Sequence, residues 1–162
     1  MTVWKSRVDA FRAQGGDWVV AQLMLLLLVV LVPLWTARPP ATLPLQLSLA
    51  GWLLIGLGLV FALLAVHSLG SALTPLPKPV DKARLRDQGI YALVRHPMYA
   101  GVWCLALGWV LLQQSAPGML LVVALFVFFD RKAAHEEVWL LEKFPEYADY
   151  RARVKKMIPG IY

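Results

Sequence analysis

Two long apolar runs without a charged residue place the strongest constraint on the fold of this 162-residue chain. One runs from Trp18 to Ala37 and the other from Leu47 to Leu69. Each has the roughly 20 residues that a helix needs to cross about 30 Å of hydrocarbon. Charged residues make up only 16% of the chain, whereas soluble domains have about 25%. The sequence therefore predicts an integral membrane protein.

Two further apolar stretches follow, at residues 98–115 and 117–129. At about 1.5 Å per residue, neither is long enough to cross the hydrocarbon unaided. The Ser-Ala-Pro-Gly sequence at residues 115–118 interrupts helices strongly and favours a tight hairpin between them. Residues 130–144 contain no Gly or Pro, so the fourth helix can continue out of the membrane as one long rod.

The predicted fold class is thus an all-α integral membrane protein, organised as a single domain over residues 1–162. Residues 3–13 place Trp4, Val8 and Phe11 on one side of a short interfacial helix. The prolines of the loop after the second span favour an extended chain there. The expected arrangement has about four transmembrane helices (18–37, 47–69, 98–115 and 117–129), a cytoplasmic catalytic loop (70–97) and a cytoplasmic helical tail (130–162).

The basic residues indicate a single orientation of these helices. Fifteen Lys and Arg residues flank one side of the predicted spans, and only Arg38 lies on the other. Because basic residues accumulate on the cytoplasmic side, we expect both termini to be cytoplasmic. The compact size and the absence of organelle signals favour a prokaryotic inner membrane.

The net charge of +6 is explained by this orientation and by attraction to anionic lipid headgroups. The basic residues lie against the bilayer, which argues against nucleic-acid binding. Cys104 is the one cysteine and lies in an apolar stretch, so neither a disulfide framework nor a cysteine metal cluster is expected. The first apolar run lacks a small-residue cleavage site, so we interpret it as a span and not as a signal peptide.

One cluster of reactive side chains lies at residues 89–101, GIYALVRHPMYAG. Pro97 is suited to the first turn of a helix, which places Arg95 and His96 beside free backbone N–H groups and a positive dipole end. Together these groups suit an anion such as a carboxylate or a phosphate. The alternative is that they anchor the helix at lipid headgroups, and the residues alone leave both interpretations open.

The second cluster is Lys132, Glu136 and Glu137 on the helix that leaves the membrane. Lys132 and Glu136 are four residues apart and share a face, whereas Glu137 is displaced by about 100° around the helix. The alternative explanation is that these residues form the solvated acidic face of an amphipathic helix and bind nothing. Since both clusters are predicted on the cytoplasmic side, a basic and aromatic group facing two carboxylates could clamp a zwitterion.

At GIYALVRHPMYAG and at residues 136–160, EEVWLLEKFPEYADYRARVKKMIPG, the sequence resembles a known family. This family comprises the isoprenylcysteine carboxyl methyltransferases and related integral-membrane phospholipid methyltransferases. The resemblance implies an S-adenosylmethionine cofactor bound without a Rossmann-like domain. It also implies catalytic roles for Lys132, Glu136 and Arg95, with the acceptor meeting the residue one turn before Glu136. The implied cofactor-binding residues are Ala83, Arg84, Leu85, Arg86, Tyr91, His96, Pro97, Met98, Tyr99, Glu136 and Glu137.

The sequence leaves more than one chemical class of methyl acceptor open. A lipid-like or prenylated acceptor is expected, entering from the surrounding membrane lipids. A prenylcysteine carboxylate is already ionised at neutral pH and needs only a basic residue such as Lys132 to orient it. An amine, as in phosphatidylethanolamine, or a thiol must first lose a proton, and Glu136 or Glu137 is the candidate base.

Lys132 departs from the family pattern, because the eukaryotic carboxyl methyltransferases have an arginine there and lysine lacks its planar two-pronged geometry. A non-enzymatic scaffold with the same fold is the rival from another class. A transporter is disfavoured, because every charged residue lies at an edge of the predicted spans. The oligomeric state is left open.

Overall fold

In a computed structural model, the chain is helical throughout most of the residues that the structure describes, which are 2–38, 43–70, 73–74, 76–78 and 84–162. One 3₁₀ turn, Gly89–Ala92, precedes the third long apolar helix. No strand is formed within these ranges beyond an isolated bridge between Val94 and Lys155, which confirms the predicted all-α class. The helices are α1 (Thr2–Ala13), α2 (Gly16–Thr36), α3 (Leu45–Leu69), α4 (Pro97–Gln113), α5 (Ala116–Lys143) and α6 (Tyr147–Arg153).

Helices α2 and α3 are long and apolar enough to cross a membrane, with 21 and 25 residues. Helix α2 contains Pro33 near its end without terminating there. Helix α3 begins directly after Pro44, two residues earlier than the sequence predicted, because no charge or helix breaker separates Leu45 from the apolar run. Much of the predicted extended stretch after α3 lies outside the described residues, and residues 73–74, 76–78 and 84–87 within it are not helical.

Helices α4 and α5 form the predicted hairpin, joined by only Gln114 and Ser115. The Ser115 side chain caps α5 by accepting a hydrogen bond from the backbone nitrogen of Gly118 at 2.9 Å. The two helices are antiparallel, because contacts nearer the start of α4 fall nearer the end of α5. The Trp103 indole donates to the carbonyl oxygen of Val122 at 3.1 Å, and the rings of Tyr99 and Phe129 stack with centroids 4.7 Å apart.

Two pairs of glycines let α3 and α4 approach to backbone contact. A Cβ added at Gly101 would lie 2.8 Å from the carbonyl oxygen of Gly58, and one added at Gly108 would lie 2.6 Å from that of Gly51. Both separations are too short for real atoms, so only glycine fits. On α3 the close approach occurs at Gly51 and Gly58. At Gly56 an added Cβ meets open space.

Helix α2 packs antiparallel along α5, which places the polar part of α5 beside the start of α2. Pro33, near the end of α2, lies against Gly118 at the start of α5, while the rings of Trp18 and Phe128 are 5.5 Å apart. Together with the antiparallel α3–α4 pair, this packing brings the start of α2, the end of α3, the start of α4 and the polar part of α5 to one end of the bundle.

The segment after α6 is bound to the loop that leads into α4. The backbone nitrogens of Arg95 and His96 donate to the carbonyl oxygens of Lys155 and Lys156 at 2.8 and 2.9 Å. The Tyr150 hydroxyl donates to the carbonyl oxygen of Tyr91 at 2.7 Å. These bonds place the C-terminal segment against the start of α4 and fix the direction of the two side chains at residues 95 and 96.

A buried carboxylate, Glu137 of α5, joins the same elements through its side chain. It accepts from Arg95 Nε at 2.9 Å, lies 3.0 Å from His96 Nε2 and pairs with Arg151 Nε at 3.3 Å. Its side chain is 2% exposed. Burial alone would raise the pKa of this carboxyl, but the hydrogen bonds from His96 and Arg95 outweigh burial and lower the pKa to about 2. The charged form of Glu137 is therefore stabilised by the fold.

We predict that Gly101→Ala lowers the stability of the protein by roughly 1–3 kcal/mol, because the new methyl group meets backbone atoms of α3 that cannot move aside. Thermal unfolding in detergent, followed by circular dichroism, measures the effect. Gly56→Ala is the matched control, since its methyl group meets open space and alanine is the better helix former. Equal transitions for the two variants would contradict the glycine contact.

We also predict that Glu137→Gln lowers the free energy of unfolding at neutral pH by on the order of 3 kcal/mol, because the Arg95 charge stays buried without its partner. Because the pKa of Glu137 is lowered from its ordinary value of 4.5, its contribution to the free energy of unfolding is fully present above pH 4.5 and is lost as the pH falls towards 2. The stability difference from wild type should shrink over that interval. The exposed Glu142→Gln serves as control, and a difference independent of pH would refute the assignment.

Candidate active site

A cavity of about 540 Å³ lies at the end of the bundle where the four long helices meet. Its size falls in the range of small-molecule binding sites, roughly 300–1,000 Å³. The wall combines many apolar side chains with a few convergent polar ones. The long helices contribute Gln22 of α2, Val66 and Leu69 of α3, Pro97, Met98 and Tyr99 of α4, and Lys132, Glu136 and Leu140 of α5. The loop between α3 and α4 contributes Leu73, Thr74, Leu76, Pro77, Arg84, Leu85, Arg86, Tyr91, Arg95 and His96, and the chain after α5 contributes Phe144, Tyr147 and Tyr150.

Glu136 places a carboxylate in this cavity. The Tyr99 hydroxyl donates a hydrogen bond to its Oε1, and His96 Nδ1 lies 3.6 Å from its Oε2. The side chain is 15% exposed. Burial raises the pKa of the Glu136 carboxyl above its ordinary value, although His96, Tyr99 and Lys132 act in the opposite direction. Glu136 is therefore a carboxylate held in place but incompletely compensated, which favours a cationic ligand.

Stacked aromatic rings lie next to this carboxylate. The Tyr99 ring lies nearly parallel to that of Phe129 at 4.7 Å and to that of His96 at 5.6 Å. Lys132 Nζ lies 5.1 Å above the Tyr99 ring, within range of a cation–π interaction. Because Phe129 is fully buried, the stack has little freedom to move and fixes the positions of the polar groups above it.

Lys132 brings a buried positive charge to the same cavity. The residue is 3% exposed, and its ammonium group donates to Gln22 Oε1 at 2.6 Å. Among the described residues no carboxylate lies within ion-pair distance of Lys132. Burial lowers the pKa of this ammonium group, while the charge of Glu136 opposes the shift. A cation buried with a neutral partner favours an anionic ligand in the space in front of it.

The outer rim of the cavity is basic and aromatic. Arg84 and Arg86 are exposed there, and the buried Tyr91 lies beside them. Burial, assisted by the nearby Glu136 charge, raises the pKa of Tyr91 to about 12, even though Arg86 acts in the opposite direction. Tyr91 therefore remains a neutral hydroxyl at physiological pH.

The structure gathers nearly all of the side chains that the sequence singled out. The lining includes these predicted residues: Arg84, Leu85, Arg86, Tyr91, Arg95, His96, Pro97, Met98, Tyr99, Lys132 and Glu136. Ala83 lies outside the described residues. Glu137 is not part of the lining, because the 100° rotation from Glu136 directs it to Arg95 instead.

The basic groups before α4 differ from the expectation in one respect. The two interpretations left open by the sequence were an external anion and lipid headgroups, but the Arg95 guanidinium is used within the protein. It pairs with Glu137 and also donates to the carbonyl oxygens of Arg151, at 3.2 Å, and Val154. Arg95 therefore borders the cavity while its charge is already compensated.

Sequence reasoning assigned no role in the site to the other half of the lining residues, which includes Gln22, Leu140, Phe144, Tyr147 and Tyr150. Gln22 carried a recognisable signal, because it is an isolated amide in an apolar span. Phe144, Tyr147 and Tyr150 lie within the quoted motif of the tail without a role having been assigned. Tyr147 is 1% exposed and its hydroxyl has no hydrogen-bond partner of good geometry among the described residues, although Arg95 lies nearby. A ligand in the cavity could supply that partner.

Comparison with known proteins supports the resemblance read from the motifs. The sequence model of the phospholipid methyltransferase family matches residues 47–147. A protein-S-isoprenylcysteine O-methyltransferase of Schizosaccharomyces pombe is 40% identical over 79 residues, which is 48% of this chain and 34% of that protein. A probable protein-S-isoprenylcysteine O-methyltransferase of Oryza sativa subsp. indica is 30% identical over 118 residues, or 70% of this chain and 62% of that protein.

The fold is also shared with a solved structure, that of a eukaryotic intramembrane Ras methyltransferase, isoprenylcysteine carboxyl methyltransferase. The TM-score is 0.62 at 22% sequence identity, and the match covers 99% of this chain and 55% of the other. This chain thus spans between about a third and two thirds of the length of the relatives that it matches. From the family match over residues 47–147 and the shared fold, the chain belongs to the phospholipid methyltransferase family of membrane proteins.

Proposed function

We propose that this protein is a membrane-embedded methyltransferase that uses S-adenosylmethionine to methylate the carboxylate of an isoprenylcysteine-like acceptor. The observation that carries the proposal is the placement of Glu136 and Lys132 on consecutive turns of α5, both lining one cavity. One cavity thereby offers a carboxylate for a cationic ligand and a cation for an anionic ligand. A methyl transfer from a sulfonium donor to a carboxylate acceptor requires both.

The lining residues fit the functional groups of S-adenosylmethionine. Its ammonium suits the carboxylate of Glu136, and its carboxylate suits Arg84 or Arg86 on the rim, since the Arg95 charge is already used by Glu137. The buried Tyr147 hydroxyl remains free to donate to a ligand. When bound, the cofactor supplies an activated methyl group, which a carboxylate oxygen takes up while the sulfonium becomes a neutral thioether.

The remaining residues position and shield these groups. Tyr99 and His96 hold Glu136 in one orientation, and Pro97 and Met98 close the wall at the start of α4. The apolar residues of α3 and the tail keep water from the space between the reactants. An in-line transfer gains most from holding two reactants close and aligned in such a dry site.

Lys132 favours a carboxylate acceptor over an amine. A carboxylate is ionised at neutral pH and needs no base, and the buried ammonium of Lys132 attracts it. The amine of phosphatidylethanolamine carries a proton and is repelled by the same charge. The description of the family as phospholipid methyltransferases keeps the amine as the second candidate, with Glu136 as the base that would remove its proton.

The position of the cavity at one end of an apolar bundle supports an acceptor that enters from the bilayer. We place four crossings in the membrane, formed by α2, α3, α4 and the first part of α5, with both termini in the cytoplasm of a prokaryotic cell. The distribution of basic residues supports this orientation. Cytoplasmic and periplasmic reporter fusions at Tyr162 and within the loop around Arg38 test it, and a periplasmic signal from Tyr162 would reverse the orientation.

We predict saturable binding of S-adenosylmethionine to the detergent-purified protein. Glu136→Gln should weaken that binding by about tenfold or more, because a hydrogen bond to a charged group contributes roughly 1.5–3 kcal/mol. Isothermal titration calorimetry measures both affinities. The exposed Glu142→Gln on the same helix is the matched control and should bind as wild type does. A wild-type protein without saturable binding sinks the methyltransferase proposal.

We predict that labelled methyl passes from the cofactor to prenylcysteine, in preference to phosphatidylethanolamine or small thiols. The product should release methanol in alkali, as a methyl ester does and as a methylated amine or thioether does not. Lys132→Met should raise the KM for prenylcysteine, because the acceptor carboxylate loses its charged partner. Label that enters phosphatidylethanolamine alone, in an alkali-stable form, would instead establish the amine acceptor.

A further inference from the structure

The pairing of Gln22 with Lys132 is a polar contact that the family resemblance did not lead us to expect. Gln22 lies in α2, one of the two long apolar helices, and is 110 residues away from Lys132 in sequence. Its Oε1 accepts from Lys132 Nζ at 2.6 Å, and both residues line the cavity. Because an ammonium group can only donate, the amide atom that faces Lys132 must be the oxygen.

This orientation determines where the donors of Gln22 can act. Because the amide oxygen of Gln22 accepts from Lys132, its N–H₂ group is not used in that contact. No partner for that nitrogen is found within the described parts of the chain, and Gln22 is only partly buried, at the cavity wall. Lys132 likewise uses one of its three N–H donors on Gln22. The pair therefore presents donors from two adjacent groups to the same space.

A carboxylate is recognised best by two donors in a fixed fork, which arginine supplies in one side chain and lysine does not. Lysine alone acts as a point charge and leaves the rotation of a carboxylate undefined. Methyl transfer depends on which carboxylate oxygen faces the methyl group and at what angle. A second hydrogen-bond donor held beside the ammonium would fix the rotation of the carboxylate.

We propose that Gln22 and Lys132 together form the acceptor carboxylate site, with Lys132 supplying the charge and the Gln22 amide supplying the second hydrogen-bond donor. This inference rests on the proposed function and adds a specificity-determining residue to it. The two residues perform jointly what one arginine performs in a bidentate site. An acceptor with an ammonium in place of the carboxylate gains nothing from the pair, and a neutral amide offers it only one acceptor oxygen and no charge.

The rival explanation is that Gln22 only satisfies the buried ammonium of Lys132. The two explanations differ in a double-mutant cycle that combines Gln22→Met with Lys132→Arg. If Gln22 supplies the second donor, Gln22→Met alone should raise the KM for an N-acetylated farnesylcysteine about tenfold, with cofactor affinity unchanged. In the Lys132→Arg background, Gln22→Met should change the KM by less than about twofold, because the arginine side chain carries both donors. Gln14→Met, at an exposed position outside the cavity, is the matched control.

Equilibrium binding provides a readout that does not depend on turnover. Wild type should bind the farnesylcysteine carboxylate about tenfold more tightly than its carboxamide, and Gln22→Met should remove most of that preference. The proposal is overturned if Gln22→Met raises the KM equally in both backgrounds, leaves the preference intact, or weakens cofactor binding as well. If the wild type does not bind S-adenosylmethionine but does prefer the carboxylate over the carboxamide, the methyltransferase function is contradicted while the carboxylate site is supported.

Discussion

The buried carboxylate of Glu137 is the interaction on which the rest of the site depends. It is bonded to Arg95 and His96 at the start of α4 and to Arg151 of α6, so one side chain connects α5, α4 and the tail. A buried ion pair adds little net stability over an apolar contact, but losing one partner is costly. The pairing therefore acts mainly as a constraint on geometry. It sets the orientation of His96 and, through it, the surroundings of Glu136.

Adjacent carboxylates on one helix thus serve different purposes because of the helical rotation between them. Glu137 is directed to three basic groups, and its pKa is lowered to about 2. Glu136 is directed into the cavity, where burial raises its pKa. Environments that shift the pKa values of neighbouring groups in opposite directions mark a division of roles. One carboxylate holds the elements together, and the other is available to a ligand.

The apolar part of the molecule determines where this cavity can lie. Glycine contacts bring α3 and α4 to backbone distance, and the two-residue turn after α4 returns the chain as α5. Helix α5 then continues past the apolar region and carries Lys132 and Glu136 to the same end as the start of α2. The proposed lipid-like acceptor, held among these helices, would present its polar end to Lys132 and Gln22. The sharing of one cavity by apolar helices and charged groups supports an acceptor of mixed character.

The sequence by itself determined the helices, the hairpin, the continuous α5 and half of the side chains that line the cavity. These features follow from local signals, namely the length of apolar runs, Pro and Gly at turns, and the angle between residues on one helix. The tertiary structure alone decided that Arg95 is neutralised by Glu137, 42 residues away, and that Gln22 contacts Lys132, 110 residues away. It also selected Gly58 over Gly56 as the contact glycine. The physical reason is that such partners are set by how whole helices pack, and no periodicity within one segment records which residue of another segment it will meet.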